Sequence, residues 1–126
     1  MFIIRKRIPF GQIWVSDTKG DATDIEYLSR EVAFGGDARG LRIGCVNPDD
    51  GETNVTIADE NEECPTREQD FVCEIDTPSR KIEIADSEEN FILVLGVGAL
   101  KLRISIWMDH PIEPDNIFLR IEAATP

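Results

Sequence analysis

Histidine occurs once in this sequence, at His110, and no two of its three cysteines form a C-x-x-C pair. Chemistry built on imidazole therefore has one candidate, in the loop DHPIEP, where a histidine capping its own turn is the ordinary reading. A zinc site would need Cys64, Cys73 and His110 to converge from distant positions and find a fourth ligand, and nothing in their spacing asks for it. An odd number of cysteines also leaves no disulfide scaffold to read. Cys45 and Cys73 alternate with apolar residues and read as small core residues, whereas Cys64 falls in a loop. Long apolar runs are missing as well. The longest, FILVLGVGAL at 91–100, is far short of the roughly 20 residues of a membrane-spanning helix. At the N-terminus, MFIIRKRIPFG places its short apolar run before the basic residues, the reverse of a secretory leader. A soluble, cytoplasmic protein is the expectation, without a membrane segment.

Catalytic motifs are equally scarce. The chain has no G-x-S-x-G, no P-loop, no G-x-G-x-x-G and no H-E-x-x-H. A non-enzymatic protein without a cofactor is expected.

What the sequence does have is two-residue alternation. In ALKLRISIWMD, Leu100, Leu102, Ile104, Ile106 and Met108 share one side, and Lys101, Arg103, Ser105 and Trp107 the other. LRIGCV, DFVCEID and KIEI follow the same rule, which is the signature of strands buried on one face. FILVL is apolar on both sides, as a central strand is, and the glycines of GVG predict a hairpin pairing it with the strand that follows. Further strands are predicted over 2–7, 12–16, 30–34, 55–58 and 117–123, with GGDARG as a loop. DATDIEYLSR is the one helical candidate, with Asp24 as N-cap and Ile25 and Leu28 on a common face. The expected fold is all-β: one domain over 1–126, an antiparallel β-sandwich of eight or nine short strands with at most one short helix.

Charge is the second positive signal. The formal net charge is −12. From Asn47 to Asn90 there are fifteen acids against three bases, and the remainder carries ten of each, so the whole excess belongs to one third of the chain. A surface of that sign repels phosphate backbones and excludes direct nucleic-acid binding as the expected role. The densest stretch, ADENEECPTREQD at 58–70, holds six carboxylates and one arginine. Its DENEECPTREQ portion, 59–69, reads as a loop, and with NPDDGETN and the turn at Ser87–Asn90 it is expected to form an exposed acidic side of the sandwich.

The succession QIWVSD, TDIEYLSREVAFGG, LRIGCVN, an acidic middle, DFVCEID, RKIEIADSEENFILVL, a glycine turn and LKLRISIWMD resembles the competence protein J family, from about Gln12 to Asp109. The bacterial members of that family inhibit a DNA-entry nuclease. The resemblance implies a small β-sandwich inhibitor; it carries no catalytic motif. It agrees in sign with the charge, because nucleases present cationic surfaces. The expected function is binding of a basic protein partner, such as a nuclease or a nuclease toxin. Its contact residues are expected to be Asp49, Asp50, Asp59, Glu60, Glu62, Glu63, Glu88 and Glu89. Trp107 is an outward-facing apolar anchor in this reading; in the competing one, Trp14, Trp107 and Phe118 form a second core face or cover a sheet edge. Two further alternatives stay open: a calcium- or small-ligand-binding sandwich, with Asp49, Asp50, Glu52, Asp59 and Glu60 as oxygen ligands, and a structural or assembly subunit.

Overall fold

Isoleucine dominates the interior. Nine of the twelve largest fully buried side chains are Ile, the other three Leu, which suits a pleated surface where a β-branched side chain packs with little rotamer loss. The computed structural model describes residues 1–88 and 90–124, and Glu89, one of the expected contact residues, lies outside that description. Ten strands form among the described residues: Phe2–Lys6 (β1), Gln12–Asp17 (β2), Phe34–Asp37 (β3), Gly40–Gly44 (β4), Thr53–Asp59 (β5), Phe71–Asp76 (β6), Lys81–Asp86 (β7), Phe91–Gly96 (β8), Lys101–Met108 (β9) and Asn116–Ala123 (β10).

They make two five-stranded sheets, ordered β1-β5-β10-β9-β6 and β3-β4-β2-β7-β8. Between them lie Ile13 and Val15 of β2, Leu41 and Ile43 of β4, Val55 and Ile57 of β5, Ile82 and Ile84 of β7, Leu102, Ile104 and Ile106 of β9, and Ile117 and Leu119 of β10. The all-β sandwich expected from the alternation is therefore the fold. In β9, Leu102, Ile104, Ile106 and Met108 point inward as predicted, but Leu100 precedes the strand and is exposed.

Four local expectations are corrected. The second sheet is antiparallel throughout, but in the first β10 runs parallel to β5, with Ile117 opposite Val55. FILVL and the strand after it do not pair. β8 pairs with β7 in one sheet, and β9 with β10 and β6 in the other. The GVGAL segment crosses between the sheets, and its carbonyls at Ala99 and Leu100 accept from the Thr77 hydroxyl at 2.7 Å and the Thr77 amide at 2.8 Å. A glycine-rich turn permits either outcome, and the bonds to Thr77 decide it. Third, the strand expected at 30–34 begins at Phe34 and takes in the first two of the three glycines of GGDARG. A Cβ at Gly35 would stand 1.9 Å from the Glu26 carbonyl oxygen, and one at Gly36 would stand 2.8 Å from the Cys73 sulfur, so these glycines serve close packing within a strand. Finally, DATDIEYLSR forms turns with no helix. Ile25 is buried while Leu28 is exposed, and Asp24 pairs with Arg39 instead of capping.

Candidate partner-binding surface

The acidic stretch is a crossing. β5 and β6 run in the same direction but are separated in the sheet by β10 and β9, so the chain from Glu60 to Asp70 must return along the outside of the sheet. It passes over Trp107 and Phe118, whose rings meet edge-to-face at 5.6 Å. Pro65 and Arg67 of the crossing border the same depression as those rings. The indole N–H of Trp107 donates to the Arg67 carbonyl at 2.9 Å. Arg67 donates to both oxygens of Asp70, at 3.1 and 3.0 Å, and to the Met108 carbonyl at 2.9 Å. Asp70 in turn accepts from the Met108 amide at 2.7 Å. The Arg67 guanidinium beside Asp70 holds its carboxyl below the usual carboxylate range, with the Met108 amide adding to the effect against partial burial. The arginine inside the acidic stretch thus pins the crossing to β9.

Not all the carboxylates of the stretch are free. Glu62 accepts from the Asp59 amide at 3.1 Å and pairs with the Met1 amine at 2.6 Å, and that amine is the main cause of its lowered pKa. Asp59 accepts from the Asn61 amide at 2.8 Å. Among the described residues, Glu60, Glu63 and Glu68 are exposed and make no side-chain hydrogen bond or ion pair.

Asp49, Asp50 and Glu88 lie elsewhere. Asp49 and Asp50 sit in a turn whose amides donate to the Asn47 side-chain and main-chain oxygens, both at 2.9 Å. Asp49 and Glu88 line one depression of about 460 Å³ together with Arg7, Pro9, Phe10 and Pro48. This is the end where β5 starts, while Asp59 to Glu63 stand where it finishes. Six residue steps at about 3.3 Å put roughly 20 Å between the two. The expected single acidic side is therefore replaced by two acidic ends. The same separation dismantles the calcium set, since Asp49, Asp50 and Glu52 cannot share an ion with Asp59 and Glu60 across the length of a strand. Among the described residues no three His, Cys, Asp or Glu side chains form a metal-holding group.

Trp107 faces outward from β9 but is only 5% exposed, because the crossing covers it. It fastens the crossing and offers no surface. Trp14 is half-buried beside the Arg42 guanidinium at 5.5 Å, which also lies 4.3 Å from the Tyr27 ring. Arg42 is fixed there by bonds to the Gln12 side chain and the Ile25 carbonyl. The histidine and two of the three cysteines are occupied or subdued, while Cys64 is a free, half-buried thiol. His110 accepts the Ile112 and Glu113 amides at 3.1 and 3.0 Å, capping its own turn. Burial pushes the Cys45 thiol up, and pushes that of Cys73 to about 11, so neither supplies thiolate near neutrality.

One surface residue escapes the sequence pattern altogether. Phe10 is 74% exposed at the tip of a tight turn, Pro9–Gly11, and lines one depression with Asp49 and Glu88. Its signal in the sequence is IPFG, which puts an aromatic between proline and glycine at a strand boundary, where alternation stops and the side chain has no sheet face to join.

With this geometry in place, comparison with solved structures gives a full-length likeness. The chain matches the crystal structure of ComJ, inhibitor of the DNA degrading activity of NucA, from Bacillus subtilis, with a TM-score of 0.75. The match covers 98% of this chain and 96% of that one. The two share a fold. Sequence identity is 8%, so the ComJ-like backbone is built here from a different set of side chains. No family model and no curated protein matches the sequence. Among the described residues, no helix is long and apolar enough to cross a membrane.

Proposed function

We propose that this protein is a non-enzymatic, intracellular inhibitor that binds a basic protein, most concretely a nuclease, and occupies the cationic surface that would otherwise hold nucleic acid. The observation that carries the reading is the placement of the acidic excess: carboxylates that the fold does not use, including Asp49, Asp50, Glu60, Glu63 and Glu88, stand in solvent at the two ends of the sandwich. The ComJ fold, which belongs to an inhibitor of a nuclease, supports the same reading along the full chain.

Physically, such a protein competes with DNA by presenting the same charge. Opposite fields draw the partners together, and association then reaches up to about 10⁸–10⁹ M⁻¹s⁻¹ at low salt. Lasting affinity must come from apolar contact, since rim charges mostly set the on-rate. Asp59 and Glu62 contribute to the field while also holding the turn at the end of β5. Trp107 acts from beneath, by fixing the crossing that carries Glu63 and Glu68.

The test is a DNA-degradation assay with NucA as the probe. The reading expects degradation to stop as the protein approaches equimolar amounts, and inhibition to weaken as salt rises. Undiminished degradation at a large molar excess would remove the nuclease reading.

A further inference from the structure

We propose that Phe10 is the apolar anchor with which this protein docks its cationic partner. Its ring enters a recess bordered by lysine and arginine, while Asp49 and Glu88 face those bases. The proposal rests on the inhibitor reading above and names the surface that performs it.

The backbone at this point is unusual. Phe10 has φ 56° and ψ 12°, in the left-handed region that a side chain of this size rarely enters, and Gly11 follows at φ 60°. The chain is held there from several directions. The Ser87 hydroxyl donates to the Pro9 carbonyl at 3.0 Å, the Gly11 amide to the Ile8 carbonyl at 2.9 Å, and the Cys45 amide to the Gly11 carbonyl at 2.8 Å. Ile8, immediately before the turn, is completely buried. Glycine at position 10 would take this conformation without strain and expose no ring. The sequence instead places phenylalanine there and leaves it 74% in water. Scattered exposed apolar residues are common on protein surfaces, but few stand on a tethered, left-handed backbone.

The surroundings of the ring point the same way. Phe10 forms a ridge between two depressions. One, of about 460 Å³, contains Pro48, Asp49 and Glu88; the other, of about 240 Å³, contains Tyr27, Ile112 and Glu113. Ile112 is itself 47% exposed, so the ring is not an isolated apolar point. The neighbouring base, Arg7, is exposed and donates through its guanidinium to the Pro48 carbonyl, so the two carboxylates outweigh one fixed positive charge and the depression stays net negative. An aromatic centre in an acidic rim matches a surface of opposite pattern, and the ring face adds attraction for any lysine or arginine laid over it. Charge complementarity thus selects a basic protein as the occupant. A second copy of this chain, carrying the same acids, would be repelled.

Binding to NucA, followed by surface plasmon resonance, tests the assignment. F10A and F10G are expected to weaken binding at least tenfold, chiefly through faster dissociation. F10G is also expected to raise the melting temperature, since glycine accepts φ 56° freely; a residue needed only for folding would show the opposite. D49N/E88Q should slow association and flatten its salt dependence. E60Q/E63Q, at the other end of the sandwich, should leave dissociation unchanged. If the wild-type protein binds and both Phe10 variants bind equally well, the anchor is elsewhere although the inhibitor reading stands. If the wild-type protein does not bind NucA at all, the inhibitor reading fails and the anchor with it.

Discussion

Trp107 and Arg67 are joined by a 2.9 Å hydrogen bond from the indole N–H to the main-chain carbonyl, across forty residues of sequence. Through that bond the acidic crossing is fixed to the strand beneath it. Its high charge does not make it a free tail: a tryptophan, a proline and an arginine hold one end, and Glu62 with Asp59 closes the turn at the other.

Truncating Trp107 therefore tests the crossing. W107A should lower stability by about 3–5 kcal/mol in urea denaturation, the usual range for emptying a buried aromatic site. W107F keeps most of the packing against Phe118 and loses the hydrogen bond, for a cost of about 1 kcal/mol beyond the change in volume. In both variants, amide exchange should accelerate within 60–70 before it does in β2 or β7. Unchanged protection in that segment would mean the crossing is held by other contacts.

Two carboxylates predict pH effects of opposite sign. Asp70 has a folded pKa below its ordinary 3.8, because Arg67 and then the Met108 amide favour the ionised form. Its contribution is present above 3.8 and is lost as pH falls through the folded value. D70N should accordingly be less stable than wild type at neutral pH, with the gap closing in acid. Glu83 is raised above its ordinary 4.5, first by burial and then by the charge of Asp17, so ionisation costs stability once pH exceeds both values. E83Q should be more stable than wild type at pH 7, and that gain should vanish below 4.5. Thermal melts of both variants across pH check the two signs together.

The strands were legible because isoleucine alternating with polar residues marks a strand buried on one face, and KLRISIWM keeps that alternation over most of its length. Which strand lies beside which was not legible. A period of two names a face and carries nothing about neighbours, so FILVL and KLRISIW read as a hairpin although Thr77 draws the link across the sandwich. The parallel β5–β10 pair was hidden for the same reason, and without it the crossing of 60–70 could not be anticipated. Charge was readable as a total and not as a place. Asp49 and Asp59 are ten residues apart in sequence, and the intervening strand carries them to opposite ends of the molecule. Phe10 was invisible to a search for alternation because it sits where alternation stops.

Two glycines separate steric from conformational demands. G35A should cost about 1–3 kcal/mol or more, since its Cβ would meet the Glu26 carbonyl oxygen at 1.9 Å and main chain would have to move. Gly98 has φ 65° and open space around its Cβ position, so G98A should cost only about 1 kcal/mol, from backbone conformation alone. Equal losses in chemical denaturation would contradict the packing described for β3.

The two acidic ends should differ in kinetics. Both contribute to the long-range field, so D59N/E60Q/E63Q and D49N/D50N/E88Q should each slow association with NucA at low salt. Only the second set borders the proposed contact, and only it should leave a residual defect once salt has screened the field. The reverse ranking would place the contact at the end where β5 finishes.

The most direct test of the inhibitor reading is the association rate constant of the wild-type protein with NucA, followed by stopped-flow fluorescence as ionic strength rises from about 0.01 to about 0.15 M. Attraction between an acidic inhibitor and a cationic nuclease surface predicts a steep fall in that rate over the range, about tenfold or more. A rate that does not change with salt, or the absence of any complex, would contradict it.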